Sequence, residues 1–109
     1  MGSFVRVAQV SEILPGHLLR VEVAGRLLCL ANVAGTVYAV DDDCTHICGP
    51  LDRGELEGYV LTCPLHLAQF DVRTGEVLRG PARAPLPVYR VMVEDEVILV
   101  EEPESWQSS

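Results

Sequence analysis

The sequence lacks lysine altogether, and its eight basic residues are all arginine. Sixteen carboxylates face them, which leaves a formal net charge of −8. A nucleic acid or an anionic membrane is therefore not expected as a partner, because phosphate-rich partners select positively charged surfaces. The excess of acid favours either solubility alone or transient docking on basic protein surfaces.

The sequence also lacks any apolar run approaching the roughly 20 residues that a membrane-spanning helix needs. Its first ten residues contain neither a basic segment nor a long apolar one, so no secretory signal is predicted. These two absences predict a cytoplasmic protein. In a reducing cytoplasm the four cysteines are not expected to form disulfides.

No segment shows a sustained helical period, and short runs of alternating apolar and polar side chains predict strands instead. The predicted strands cover residues 4–10, 17–23, 26–33, 36–40, 69–72, 76–78, 86–93 and 96–100. Turns between them are predicted at Ala24-Gly25, Ala34-Gly35, Thr74-Gly75 and Glu94-Asp95. The pattern predicts an all-β protein, built as a small antiparallel sandwich or barrel.

The length of 109 residues predicts a single domain. Within it, residues 1–40 and 71–103 form the predicted base, and residues 104–109 form a tail that contains Trp106. Residues 41–70 replace regular alternation with turn formers and with side chains that bind metals. A loop-rich excursion of this length inside a compact β domain is usually functional.

Two short motifs in this excursion each combine one thiol with one imidazole. The first box, C-x-H, contains Cys44 and His46, and the second, C-x-x-H, contains Cys63 and His66, with sixteen residues between the boxes. A Cys₂His₂ set suits a tetrahedral zinc, or a [2Fe–2S] cluster with two cysteines on one iron and two histidines on the other. Zinc fingers usually pair cysteine with cysteine and histidine with histidine, so the mixed boxes favour the cluster.

On these motifs the sequence resembles the Rieske family. The resemblance rests on the two boxes and their spacing, on "GPL" after the first box, and on "QFDVRTGEVL" and a later "GPA". It covers nearly the whole chain and is strongest toward the small Rieske ferredoxins of bacterial ring-hydroxylating dioxygenases. It implies a two-loop cluster-binding subdomain inserted in the β base.

The resemblance also implies a function and partners. The chain is expected to carry one Rieske-type [2Fe–2S] cluster and to be an electron-transfer protein rather than an enzyme. It is expected to take electrons from a flavin-dependent ferredoxin reductase and to pass them to a terminal oxygenase, as a monomer.

The same resemblance assigns the ligands of the cluster. Cys44 and Cys63 are expected to hold the inner, buried iron, and His46 and His66 the outer iron through Nδ1. Imidazoles in place of thiolates make the cluster less negative, which raises its potential and localises the added electron on the outer iron. A partner protein can then reach that electron.

Two residues beside the second box predict a low reduction potential. High-potential members of the family have a serine two residues after the second histidine and a tyrosine four after it, whereas this chain has Ala68 and Phe70. It also has Leu65 where those members carry a disulfide-forming cysteine. Without these hydroxyls the potential is expected near about −150 mV rather than near about +300 mV.

Two residues depart from the family pattern, which commonly has glycine at both positions. Cys48 is expected to be a tolerated small residue, with an oxidation-sensitive thiol as the alternative. Leu67, directly after the second histidine, is expected to enlarge an apolar docking rim around the cluster. The other members of that predicted rim are Ile47, Leu51, Pro64 and Leu65.

Acidic side chains in the same region are candidates for steering a partner. They are Asp41, Asp42, Asp43, Asp52, Glu55 and Glu57. Away from the boxes, His17 is expected to be exposed or at the edge of the core, and Cys29 to be a small buried hydrophobe.

Two other functions remain open at this point. The chain is compatible with a Rieske-type small subunit bound permanently to a larger oxidoreductase such as a nitrite reductase. A zinc-binding structural module is the second alternative. The sequence does not name the reductase, the terminal acceptor or its substrate.

Overall fold

The computed structural model of the protein describes residues 3–23, 25–42, 54–63, 68–80 and 85–102. Within these ranges the chain forms strands almost throughout, with one short 3₁₀ helix at Val10–Glu12. The strands are β1 (Ser3–Gln9), β2 (Leu18–Val23), β3 (Arg26–Val33), β4 (Thr36–Asp41), β5 (Glu55–Glu57), β6 (Val60–Thr62), β7 (Gln69–Asp71), β8 (Val77–Arg79), β9 (Val88–Tyr89), β10 (Val91–Glu94) and β11 (Val97–Glu102). They form three antiparallel sheets, so the predicted all-β class is confirmed.

Two of the sheets make up the base. The first has the order β1-β11-β10 and the second the order β2-β3-β4-β9. The tight turns of the second sheet follow from residues that adopt positive φ, namely Gly25 at +81° and Ala34 and Gly35 at +52° and +98°. Glycine adopts this region without steric cost, whereas Ala34 is strained there. The two predicted hairpins of this sheet are therefore confirmed, with Val23 opposite Arg26 and Val33 opposite Thr36.

The third sheet has the order β5-β6-β7-β8 and lies within residues 55–79. The sequence reading of residues 41–70 as irregular was wrong for β5 and β6, which pair from Glu55–Thr62 to Glu57–Val60. Both strands have only three residues, and alternation over three residues is too short to be recognised as a strand.

The predicted strand 86–93 was also wrong, because the chain changes sheets inside it. Tyr89 pairs with Ala39 in the second sheet, whereas Val91 pairs with Val100 in the first. Arg90 lies between them, and its carbonyl accepts a hydrogen bond from Glu101 N–H at 2.9 Å. Alternation of side chains does not reveal which sheet a strand joins, so the sequence could not show this break.

The core consists of two clusters, one on each face of β3. Leu28 and Leu30 belong to a cluster within the base, and Cys29 and Ala31 belong to a cluster that the third sheet completes. All four side chains are at most 1% exposed. A strand that is covered on both faces reads as a continuous apolar run, which explains the segment "LCLA" at residues 28–31. The expectation that Cys29 is a small buried hydrophobe is confirmed.

Candidate metal centre

The second box begins with Cys63, which directly follows β6 and lies within the described residues. Cys63 is 1% exposed and its thiol is not in a disulfide. Its N–H donates a hydrogen bond of 2.7 Å to the carbonyl of Ala68. Since Thr62 pairs with Gln69, this bond extends the β6–β7 ladder by one step and brackets residues 64–67. His66, Pro64, Leu65 and Leu67 lie outside the described residues.

The first box follows the end of β4 directly. Asp41 ends this strand and Asp42 comes next, two residues before Cys44 in the sequence. Cys44, His46 and Cys48 lie outside the described residues, as do Ile47 and Leu51 of the predicted rim. The structure therefore describes the chain up to Asp42 before the first box and up to Cys63 of the second.

The chain segments that precede the two boxes contact the same buried cluster. Val40 of β4 and Cys63 both belong to it, and both are at most 1% exposed. The remaining members come from β3, from β6, from β7 with its two flanking residues, and from the segment before β9: Cys29, Ala31, Leu61, Ala68, Phe70, Val72 and Leu86. Val40 and Cys63 therefore place the end of β4 and the end of β6 against one buried cluster.

Ala68 and Phe70 lie in the same cluster as Cys63, and both are 0% exposed. Neither side chain has a hydrogen-bond donor, so the protein wall beside Cys63 is apolar at these two positions. The side chains of Ala68 and Phe70 therefore offer no hydroxyl to a sulfur atom.

Asp41 is fixed at the end of β4 by two hydrogen bonds. Its N–H donates to the carbonyl of Pro87 at 3.1 Å, and its Oδ1 accepts from the Tyr89 hydroxyl at 2.6 Å. Partial burial and the bond to Asp41 raise the pKa of Tyr89 above its ordinary value, so this hydroxyl stays a donor at neutral pH.

A backbone contact joins the third sheet to the base. Leu86 N–H donates to the carbonyl of Gly75 at 2.8 Å, and Gly75 has a φ of +80°. A Cβ atom at Gly75 would lie 2.0 Å from the Leu86 carbonyl oxygen. Pro87, the next residue, accepts from Asp41, so residues 86 and 87 together connect the turn after β7 to the end of β4. We call this pair of contacts the 86–87 bridge.

At the far end of the third sheet, the turn after β7 is held by an ion pair. Arg73 donates to both carboxylate oxygens of Asp71, at 3.1 and 2.9 Å. The guanidinium also lies 3.9 Å from the centre of the Tyr59 ring. The hydrogen bonds from Arg73 lower the pKa of Asp71, and in turn the Asp71 carboxylate raises the pKa of Arg73. Asp71 pairs with Val60, at the opposite end of the sheet from Cys63.

His17, the third histidine of the chain, is exposed, as expected. It lines a surface groove of about 420 Å³ between the start of β2 and the edge strand β5. Two carboxylates, Glu55 and Glu57, line the same groove and are exposed. Within the part of the chain that the structure describes, no three histidine, cysteine or acidic side chains come together as a metal site.

Sequence reasoning missed the residues that contact the end of β4, before the first box, and the turn after β7. Arg20, Tyr89 and the 86–87 bridge are all distant in sequence from the residues they contact. The only signal in the sequence was the stretch 80–87, whose three prolines indicate a stiff segment. Nothing in that stretch shows which strand it contacts.

The chemistry of the donor set fits an iron–sulfur cluster. Cys63 is buried in apolar surroundings, is not cross-linked, and lies at the end of a strand where its backbone is fixed. The irons of such clusters are ligated by cysteine thiolates, and histidine replaces two of the four thiolates in Rieske centres. The described surroundings of Cys63 therefore suit the group that the two boxes predict.

Comparisons with known proteins agree with this chemistry. Residues 3–90 match the model of the Rieske [2Fe-2S] domain. The chain is 37% identical over 98 residues to the ferredoxin component of the naphthalene 1,2-dioxygenase system of Pseudomonas putida, covering 90% of this chain and 94% of the relative.

Solved structures agree as well. The ferredoxin of carbazole 1,9a-dioxygenase from Nocardioides aromaticivorans matches with a TM-score of 0.89 and 33% identity, over 93% of this chain and 99% of that one. A chain from a complex of reduced oxygenase and oxidized ferredoxin in carbazole 1,9a-dioxygenase matches with a TM-score of 0.85 and 34% identity, over 90% and 92% of the two chains. In the described ranges no helix is long and apolar enough to cross a membrane.

The relatives are ferredoxins, so the match identifies an electron carrier rather than an enzyme, with a Rieske-type [2Fe–2S] cluster as its cofactor. With a family match over residues 3–90 and relatives that are similar over nine-tenths of the chain, this protein belongs to the Rieske [2Fe–2S] family.

Proposed function

We propose that this chain is the ferredoxin component of a ring-hydroxylating oxygenase system. It accepts one electron at a time from a flavin-dependent reductase and delivers it to a terminal oxygenase. The observation that carries the proposal is the similarity over nine-tenths of the chain to ferredoxin components of dioxygenase systems, in a chain that keeps both ligand boxes. The complex of oxygenase and ferredoxin among the similar structures supports the oxygenase as the acceptor.

The proposed ligands are Cys44 and Cys63 on one iron and His46 and His66 on the other. The cluster supplies a one-electron redox centre whose outer iron is the site of reduction. The chain's own contribution at Cys63 is a fixed backbone and a dry, apolar wall. Because the side chains of Ala68 and Phe70 carry no hydrogen-bond donor, they do not stabilise the added negative charge of the reduced cluster. This supports a low reduction potential.

Paired variants of the same residue type test the ligand assignment. Cys63→Ser is expected to yield protein without the visible absorption of the cluster, whereas Cys29→Ser keeps it, although both thiols are buried and neither is in a disulfide. His66→Ala and the control His17→Ala form the second pair. Retention of a full Rieske-type EPR signal in Cys63→Ser would contradict the assignment, and a colourless, zinc-loaded wild type would contradict the whole proposal.

A reductive titration of the wild type tests the redox class. The midpoint is expected near the lower end of the Rieske range, at about −150 mV. A clearly positive midpoint would show that donors outside residues 68–70 stabilise the reduced cluster.

Electron delivery is tested by reconstitution. The chain, a flavin-dependent ferredoxin reductase and a ring-hydroxylating terminal oxygenase are mixed with NADH and an aromatic substrate, and product formation is followed. Product is expected to depend on the chain, and Cys63→Ser serves as the inactive control.

Gel filtration is expected to show a monomer, and cell fractionation a cytoplasmic protein. A chain that elutes only with a larger enzyme would replace the shuttle with a permanent subunit.

The domain division also remains a proposal. The predicted insertion 41–70 ends inside β7, whereas the third sheet continues to Arg79. We therefore propose that the cluster-binding unit extends from residue 41 to residue 79, with the base formed by the remaining strands. A fragment of residues 41–79 is not expected to fold alone, because Val40 and Leu86 complete its buried cluster.

A further inference from the structure

Asp42 is the last described residue before the first ligand box, and it is held from two sides. Its N–H donates to the carbonyl of Leu27 at 3.1 Å, and its Oδ2 accepts a hydrogen bond from Arg20 Nε at 2.8 Å. The carboxylate is 0% exposed, whereas the Arg20 side chain is 40% exposed. A carboxylate that is fully buried requires a compensating cation or several donors, and Arg20 supplies both a charge and a donor.

The Arg20–Asp42 pair differs from the Asp71–Arg73 ion pair in what it connects. Arg73 lies two residues from Asp71 and closes a local turn, whereas Arg20 lies on β2 and is 22 residues from Asp42. The Arg20–Asp42 bond therefore ties β2 to the chain beyond β4. A rigid guanidinium that donates through Nε restricts the direction of the carboxylate as well as its distance.

We propose that Arg20 is a positioning residue for the first ligand box. Through Asp42 it fixes the direction in which the chain leaves β4, and so the presentation of Cys44 and His46 to the cluster. This inference rests on the proposed ligand set. The buried charge of the Asp42 carboxylate also acts on the cluster, and Arg20 offsets it, because charges interact strongly where water is excluded. Reduction adds a negative charge, which a nearby cation stabilises and an uncompensated carboxylate destabilises.

The test compares purified, cluster-loaded variants. Arg20→Gln removes the cation and leaves the buried carboxylate, and Asp42→Asn removes the carboxylate but keeps an oxygen acceptor. Arg73→Gln is the matched control, because it removes an arginine from an ion pair at the opposite end of the third sheet. Three quantities are measured at pH 7: the g-values of the reduced EPR signal, the midpoint potential, and the rate at which visible absorption is lost with a chelator present.

Arg20→Gln is expected to shift the g-values, to lower the midpoint potential and to accelerate cluster loss at least tenfold. Asp42→Asn is expected to raise the midpoint potential, and to accelerate loss less, because a neutral hydrogen bond remains possible. Arg73→Gln is expected to match the wild type in all three. A general loss of stability would not shift the midpoint potential in opposite directions in Arg20→Gln and Asp42→Asn.

Three outcomes would overturn the inference. In the first, Arg20→Gln keeps wild-type g-values and a wild-type rate of loss. In the second, Arg73→Gln changes both as much as Arg20→Gln does. If circular dichroism shows that Arg20→Gln does not fold, Asp42→Asn decides instead, because it removes the buried charge. The third outcome that overturns the inference is then an Asp42→Asn variant with wild-type g-values and a wild-type midpoint potential. A wild type without a Rieske-type signal would instead overturn the proposed function, so the two failures are distinguishable.

Discussion

The 86–87 bridge gives a quantitative prediction, because two glycines with nearly equal φ differ in their surroundings. Gly75 has a φ of +80°, and an added Cβ would lie 2.0 Å from the Leu86 carbonyl oxygen. Gly25 has a φ of +81°, and an added Cβ would have no heavy atom within 4 Å. Alanine at either position carries the same backbone strain, so the difference between the two variants isolates the steric contact.

The magnitude follows from three contributions. The left-handed backbone costs an alanine about 1–2 kcal/mol at both sites. At Gly75 alone, the clash also breaks the hydrogen bond from Leu86 N–H, which contributes about 0.5–1.5 kcal/mol. It also displaces Leu86, a side chain that is 2% exposed and whose full burial contributes about 1.5–3 kcal/mol. With partial exposure of Leu86, Gly75→Ala should be less stable than Gly25→Ala by about 2–3 kcal/mol.

Thermal unfolding followed by circular dichroism measures this difference. For a domain of about 100 residues, 1 kcal/mol corresponds to a shift of about 4 °C or more, so Gly75→Ala should melt about 10 °C below Gly25→Ala. Since the bridge contacts Asp41, next to the first box, Gly75→Ala should also lose its visible absorption faster. Melting temperatures within 2–3 °C of each other would refute the reasoning, because the clash at Gly75 would then have been relieved without loss of packing.

Three further predictions concern the potential, the pH dependence and the partner. Ala68→Ser places a hydroxyl in the buried wall beside Cys63 and should raise the midpoint by about 50 mV, because a hydrogen bond that favours the reduced state by about 1 kcal/mol corresponds to that shift for one electron. Ala39→Ser, in the other buried cluster, should leave the midpoint unchanged, and an equal shift in both variants would contradict the placement. Arg73 lowers the pKa of Asp71 in the folded state, so the contribution of this pair is fully present above the ordinary value of 3.8 and is lost as the pH falls through the lowered pKa. The difference in melting temperature between wild type and Asp71→Asn should therefore be constant from pH 7 to 5 and shrink toward pH 3; a constant difference over the whole range would contradict the assignment. Finally, the rate of electron transfer to the oxygenase should fall as salt rises, because ions screen exposed charges beyond about 10 Å at 0.1 M. The double variant Glu55→Gln/Glu57→Gln should flatten this dependence, and rates independent of salt in the wild type would contradict steering.

The sequence determined the fold class because the features that specify it are local. Alternation over six residues defined β2 and β4, a continuous apolar run defined β3, and glycine-containing turns joined the three strands into hairpins. The two ligand boxes were also readable, since a thiol and an imidazole at fixed spacing are a chemical signature that needs no structure. The likeness to ferredoxins followed from the same motifs.

Only the tertiary structure decided what surrounds the boxes. It placed Cys29 in the same cluster as Cys63, divided residues 86–93 between two sheets, and brought Arg20 to Asp42 and Leu86 to Gly75. Each of these contacts joins residues far apart in sequence, and nothing in the local pattern names the partner. A motif records which atoms are available to bind a metal. The packing of distant strands fixes where those atoms are held, because burial and hydrogen bonding depend on neighbours that alternation does not encode.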